Sequence, residues 1–156
     1  MKQAVNNLKD YAELAQASYF YFDFLKDSKN IPRKIYELDS NKQRIKDENS
    51  PRGYKEIEIN LEHIVSKEYQ GQEVLINLKQ DNTWQSNLLN SLDEKFNSDK
   101  LNGEFGEIQA QNFVKRYKIY FHQPNTFSGF SATLFYDIQE DRFVVGFRGD
   151  KNGNIF

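Results

Sequence analysis

Cysteine is absent from this chain, so disulfide staples, thiolate nucleophiles and cysteine-ligated zinc are excluded by inventory. The absence fits a reducing or an oxidising compartment equally well. Proline is scarce, with 3 residues, and tryptophan and methionine occur once each. An excess of charge of either sign is also missing: 21 Lys and Arg stand against 23 Asp and Glu, a net charge of -2. Such a balance gives no field that would draw the chain to nucleic acid or to an anionic membrane. No apolar run approaches the length of a membrane span, and the opening MKQAVNNLKD has no apolar h-region. The expectation is a chain with no nucleic-acid partner and no transmembrane segment, either cytoplasmic or exported without an N-terminal signal peptide.

What the chain has in quantity is aromatic surface, with 13 Phe and 9 Tyr among 156 residues. Large rings can build a core even where the apolar fraction is modest, and the length suits a single domain, 1–156, of which a larger sandwich would need more. Leu8, Tyr11, Leu14, Ala15, Ser18, Phe22 and Leu25 recur at helical spacing, with Asn6 or Asn7 placed to cap. The aromatic cluster Tyr19 to Phe24 is expected to end that helix and pack in the core. Residues 27–53 turn polar, with Pro32 and Pro51 and no periodic face, and read as a long polar loop, a lid or a solvated connector. KEIEINLE, 55–62, alternates like a strand, although Leu61, Ile64 and Val65 could open a helix instead. The run Val74 to Leu78 is ambiguous in the same way.

Two amphipathic helices are expected next, one on Trp84, Leu88, Leu89, Leu92 and Phe96, the other on Phe105, Ile108, Ala110, Phe113, Val114 and Tyr117. Asn102 and Gly103 separate them, and a short connection makes them antiparallel neighbours. After the turn residues Gln123, Pro124 and Asn125, Phe130–Tyr136 and Arg142–Phe147 read as two strands joined by a turn over 137–141, a hairpin whose second strand is buried on one side at least.

The segment GEFGEIQAQNFVKRYKIYFHQPNTFSGFSATLFYD followed by RFVVGFRGD, together with the early YAELAQASY, resembles the entry region of bacterial lipase-like proteins of the class 3 lipase type. The resemblance covers the chain in patches from Leu8 to Asp150. Its most specific piece is the apolar strand ending in Phe147, Arg148 and Gly149. It implies an incomplete α/β-hydrolase-like α/β fold, with N-terminal helices packed on a partial sheet that ends in a β-hairpin. It implies as function the N-terminal part of a carboxylic ester (lipid) hydrolase, whose substrate would be a lipid or another acyl ester once a C-terminal part completes it. By the same resemblance the backbone N–H groups at Gly149 and Asp150 are candidate oxyanion-hole donors. Asp150 departs from the Ser or Thr usual there, and a carboxylate beside a developing oxyanion is repulsive. Arg148 is read as a structural brace, bonded to carbonyls or carboxylates.

The catalytic apparatus itself is missing from the sequence. No G-x-S-x-G occurs; the nearest match, Gly129-Phe130-Ser131-Ala132-Thr133, lacks the second glycine and leads into a strand. The two histidines, His63 and His122, precede the FRG strand, whereas in this fold the nucleophile, acid and base follow it. Neither has the paired spacing of metal ligands, so no catalytic residue, metal or cofactor is assigned. DKNGN, 150–154, offers the first oxygen positions of an EF-hand loop, but Ile155 stands where that loop requires glycine, and a polar turn is the plainer reading. The competing function is a non-catalytic module that binds a protein partner through an exposed strand edge.

Overall fold

The helical spacing around Leu8 to Ser18 forms α1, Lys2–Ala17, in a computed structural model that describes residues 1–26, 30–75, 99–124 and 130–149. Leu14 and Ala17 are buried, while Val5 and Leu8 on the same stripe are exposed, because only the second half of α1 lies on the rest of the molecule. The helix was expected to run to Leu25. It stops at Ala17, where the Ser18 hydroxyl donates back to the Leu14 carbonyl at 2.7 Å, a bond that competes with continuing the helix. The next residues alternate: Phe20, Phe22 and Phe24 are buried, with Phe22–Phe24 in a 3-10 turn, while Tyr19 and Tyr21 face solvent. The aromatic cluster is core, but its period is two rather than 3.6.

Residues 27–53 were expected to be a long polar loop, and the described part is more ordered than that. It contains β1, Lys34–Tyr36, which pairs antiparallel with β2, Glu56–Glu58, and seats Ile35 at 0% exposure. Between them the chain folds on itself through the bridges Leu38 to Arg44 and Lys46 to Tyr54. Asp39 accepts from the Asn41 and Gln43 amides and Asp47 from the Asn49 amide, side-chain turns that replace apolar periodicity as the ordering force.

The 55–62 segment is both strand and helix start. After β2 comes α2, Leu61–Val65, opened by a reciprocal cap in which Asn60 Oδ1 accepts from the His63 amide at 3.0 Å and His63 Nδ1 accepts from the Asn60 amide at 3.1 Å. Burial pushes the His63 imidazole below its ordinary value, against the opposing pull of the Glu62 carboxylate and a hydrogen bond to the Glu58 backbone. A group with a lowered folded-state value contributes its full stability above the unfolded value, about 6.5 for histidine, and loses it as pH falls below that. Protonation at Nδ1 also removes the acceptor of the cap. The urea midpoint should therefore fall between pH 7.5 and 5.5 by an amount equivalent to about 1 kcal/mol, and His63→Gln, which keeps an N3 acceptor, should shrink that fall.

The C-terminal half begins with α3, Glu107–Arg116, followed with no intervening loop by β3, Tyr117–Gln123, β4, Phe130–Asp137, and β5, Arg142–Gly149. Glu107 in the first turn and Lys115 and Arg116 in the last suit the helix dipole. The expected hairpin is present as β4 and β5, and β3, which the sequence reading did not anticipate, adds antiparallel to β4 to give the order β3-β4-β5. The ring of Phe113 ties helix to sheet, 4.8 Å from Tyr117 and 6.0 Å from Phe135, with Phe105 at 5.3 Å on its other side. Ile108, placed on this buried face from its spacing, is 75% exposed. The expected helix over Trp84 to Phe96 lies outside the described residues, as do residues 76–78 of the Val74 run and the DKNGN segment.

The chain is thus a mixed α/β protein in which every described pairing of extended strands is antiparallel. Among the described residues no helix is long and apolar enough to cross a membrane.

Candidate functional site

The chemistry expected at the end of β5 centres on Arg148, Gly149 and Asp150. Arg148 is 8% exposed and points to the covered face of the sheet, where its Nη2 lies 3.7 Å from Asp23 Oδ2 and its guanidinium sits 4.9 Å from the centre of the Tyr21 ring. Its Nη1 is buried and has no hydrogen-bond partner. Gly149 is still in strand register, opposite Phe130, and its φ is not positive, so the freedom of glycine to turn sharply is not used at that residue. Asp150 lies outside the described residues.

What the structure assembles around Arg148 was not visible in the sequence. Asp23 in the 3-10 turn, His122 in β3 and Thr133 in β4 form a hydrogen-bonded chain: Asp23 Oδ1 to His122 Nε2 at 2.9 Å, and His122 Nδ1 to Thr133 Oγ1 at 2.8 Å. Burial pushes the Asp23 carboxyl up, but the His122 hydrogen bond and charge and the Arg148 charge together hold it below its ordinary value. The connectivity is that of a carboxylate, an imidazole and a hydroxyl in a hydrolytic triad. The exposure is not, since Thr133 is 2% exposed and its hydroxyl is shut away from any substrate carbonyl. This chain fastens the N-terminal aromatic segment to the sheet. Ser131, opposite Arg148 in β4, is likewise 2% exposed and belongs to a strand. Among the described residues no His, Cys, Asp and Glu cluster could hold a metal.

The other face and the outer edge of β5 are the unusual part of the molecule. Opposite Tyr136, Leu134 and Ala132 of β4 stand Phe143, Val145 and Phe147, exposed by 54%, 47% and 60%. The Phe143 ring lies 5.2 Å from Tyr120 and 5.1 Å from Tyr136, and Phe147 lies 5.7 Å from Phe130, so the apolar surface is continuous across all three strands. Among the described residues β5 pairs with β4 alone, leaving its second edge open.

The two edges of this sheet are built differently. β3 carries a bulge between Ile119 and Phe121, whereas β5 runs in unbroken register with β4 over its whole length, from Arg142 to Gly149. A bulge is one of the devices that discourage strand addition. β5 has no proline, and its two charged residues are turned away from the bare face, Arg142 toward the Tyr11 ring of α1 and Arg148 toward Asp23.

No protein-family model, curated protein or solved structure matches the chain.

Proposed function

We propose that this chain is the N-terminal part of a lipase-like carboxylic ester hydrolase, in which β5 is an inner strand extended by further strands that carry the catalytic residues. The observation that carries the reading is the combination at β5: a long, regular, apolar strand with an edge that no described residue closes and three large side chains bare on one face. A finished domain blunts or covers such an edge, and an α/β sheet of the hydrolase kind is covered by helices on both faces. Covering the exposed halves of Phe143, Val145 and Phe147 would contribute on the order of 1 kcal/mol apiece, enough to make an added layer stable. The resemblance around the FRG strand supports the hydrolase assignment, and the backbone N–H at Gly149 and Asp150 is the candidate first oxyanion donor.

Within this reading the described residues supply frame rather than chemistry. Arg148 and the Asp23–His122–Thr133 chain hold the end of β5 at the place where a strand-to-helix loop would present its amides. The same open edge also fits the second reading, a non-catalytic module that adds a strand from a protein partner.

One experiment separates the two. This chain alone should hydrolyse p-nitrophenyl butyrate at the background rate. Co-expression with the polypeptide encoded immediately downstream, if that carries a strand, G-x-S-x-G and a helix, should give a complex with activity that is lost when its motif serine becomes alanine. A complex that forms through β5 but stays inactive with the serine intact would favour the binding module over the hydrolase.

A further inference from the structure

A cleft of about 610 Å³ opens between β3 and the residues around Phe22–Lys26, Asn30 and Arg33. That volume is in the range of small-molecule sites. Its wall is apolar, formed by Phe22 and Leu25 on one side and Ile119 on the other. Its rim is cationic, with Lys26, exposed and held in place by a backbone bridge to Pro32, and Arg33. Arg33 meets Asp99 loosely, at 3.7 Å, and its side chain is 28% exposed, so a guanidinium with five donors keeps capacity for a second acceptor. The carboxylate in the cleft, Asp23, is already engaged by His122 and Arg148, and Asp99 faces Arg33, which leaves Lys26 as the surplus charge among the described residues.

An apolar wall under a cationic rim selects a particular class of molecule. We propose that this cleft binds a small organic anion with an apolar body, the body lying against Phe22, Leu25 and Ile119 and the anionic group meeting Lys26 and Arg33. The larger groove between α1 and α3, about 740 Å³, offers no such selection, because Lys9 and Lys115 there alternate with Asp10 and Glu13. The ring of His122 forms part of the cleft with both nitrogens already bonded, so it shapes the cleft without donating to the ligand. The inference does not depend on the hydrolase reading.

The test uses two dyes that differ by one charged group, 1-anilinonaphthalene-8-sulfonate and its neutral counterpart N-phenyl-1-naphthylamine, titrated by fluorescence against the intact chain. The sulfonate should bind more tightly than the neutral dye, and reversal of the two rim charges in Lys26→Glu/Arg33→Glu should weaken it by about tenfold or more while leaving the neutral dye within about threefold. Lys26→Glu alone, at an exposed position, should weaken the sulfonate by about threefold and guards against a folding defect from loss of the Asp99 contact. Phe147→Lys, on the bare sheet face, should leave sulfonate binding unchanged. Equal sulfonate affinity in wild type and both rim variants would overturn the proposal, and so would loss of binding in Phe147→Lys, which would place the dye on the outer sheet face.

Discussion

Replacing Arg116 with methionine should cost about 3–5 kcal/mol of folding stability at pH 7, the range for removing one partner of a buried ion pair. Arg116 ends α3 and ties three elements together. Its Nη1 and Nη2 meet the two Asp10 oxygens of α1 at 2.8 and 2.7 Å, while its Nε and Nη2 meet the two Asp137 oxygens of β4 at 3.1 and 2.7 Å. The two carboxylates raise the guanidinium further above its ordinary value, against the cost of burial. Burial pushes the Asp137 carboxyl up, but Arg116 and the Glu140 and Gln139 amides hold it below the usual range. Asp137 is 0% exposed. Without Arg116 its charge is left with two amides at a buried position, and protonation becomes the cheaper state.

The pH dependence identifies the cause. In the wild type a lowered Asp137 contributes stability that is present above the unfolded value of about 3.9 and lost as pH falls through the folded one. In Arg116→Met the sign reverses: burial dominates, the folded value rises above the unfolded one, and acidification relieves part of the penalty. The difference in urea unfolding free energy between variant and wild type should narrow from pH 7 to pH 4.5. Arg116→Met/Asp137→Asn should recover part of the loss at pH 7. A constant difference across that range, with no recovery in the double variant, would mean that the arginine acts through packing rather than charge.

The second large effect is expected at Gly103. A Cβ there would stand 2.5 Å from the Ile64 carbonyl oxygen, 2.5 Å from the Val65 carbonyl carbon and 2.7 Å from the Ser66 carbonyl oxygen. All three are backbone atoms at the end of α2, so no rotamer change relieves the overlap. The backbone there is also pinned by Phe105, whose amide donates to the Val65 carbonyl at 2.8 Å and whose carbonyl accepts from the Lys67 amide at 2.9 Å. Gly103→Ala should cost about 3 kcal/mol, the upper part of the range for overpacking. Gly53 is the control, with φ +74 and nothing within 4 Å of its Cβ position. Gly53→Ala should cost about 1 kcal/mol from the left-handed backbone alone. Equal losses at the two positions by thermal unfolding would refute the close approach.

Gly103 also shows where sequence reasoning reached and where it stopped. As a separator of two helices it was legible; as the residue that lets one backbone lie on another it was not, because the partners are some 40 residues earlier. The hairpin of β4 and β5 was readable from Val- and Phe-rich runs flanking a polar turn, and α1 and α3 from helical spacing. β3 was missed because its bulge breaks the period of two and leaves both Tyr120 and Phe121 exposed. The 3-10 turn did leave a signal: in Tyr19-Phe20-Tyr21-Phe22-Asp23-Phe24 the phenylalanines alternate with polar-tipped residues, and the phenylalanines are the buried set. β1 left none, being three residues long with one buried side chain.

The candidate site divides the same way. The strand Arg142–Phe147 was legible from its Val- and Phe-rich composition, and its end at Arg148 and Gly149 was singled out by the resemblance alone. The contacts of Asp23 with His122 and Arg148 join residues 99 positions and more apart, and no spacing rule reports such contacts. The exposure of Phe143, Val145 and Phe147 was equally hidden, since alternating large apolar residues in a strand suit a buried face as well as one awaiting cover.

If β5 is an inner strand whose second edge no described residue closes, residue-resolved amide hydrogen exchange on the monomer, established as such by sedimentation, will show it. Antiparallel pairing with β4 directs alternate β5 amides toward β4 and the others outward. Slow exchange is expected for the first set and rapid exchange for the second, with the outward set becoming protected once a completing polypeptide is bound. Equal protection of both sets from Arg142 to Gly149 in the isolated monomer would contradict it, because the edge would then already be closed by the chain itself.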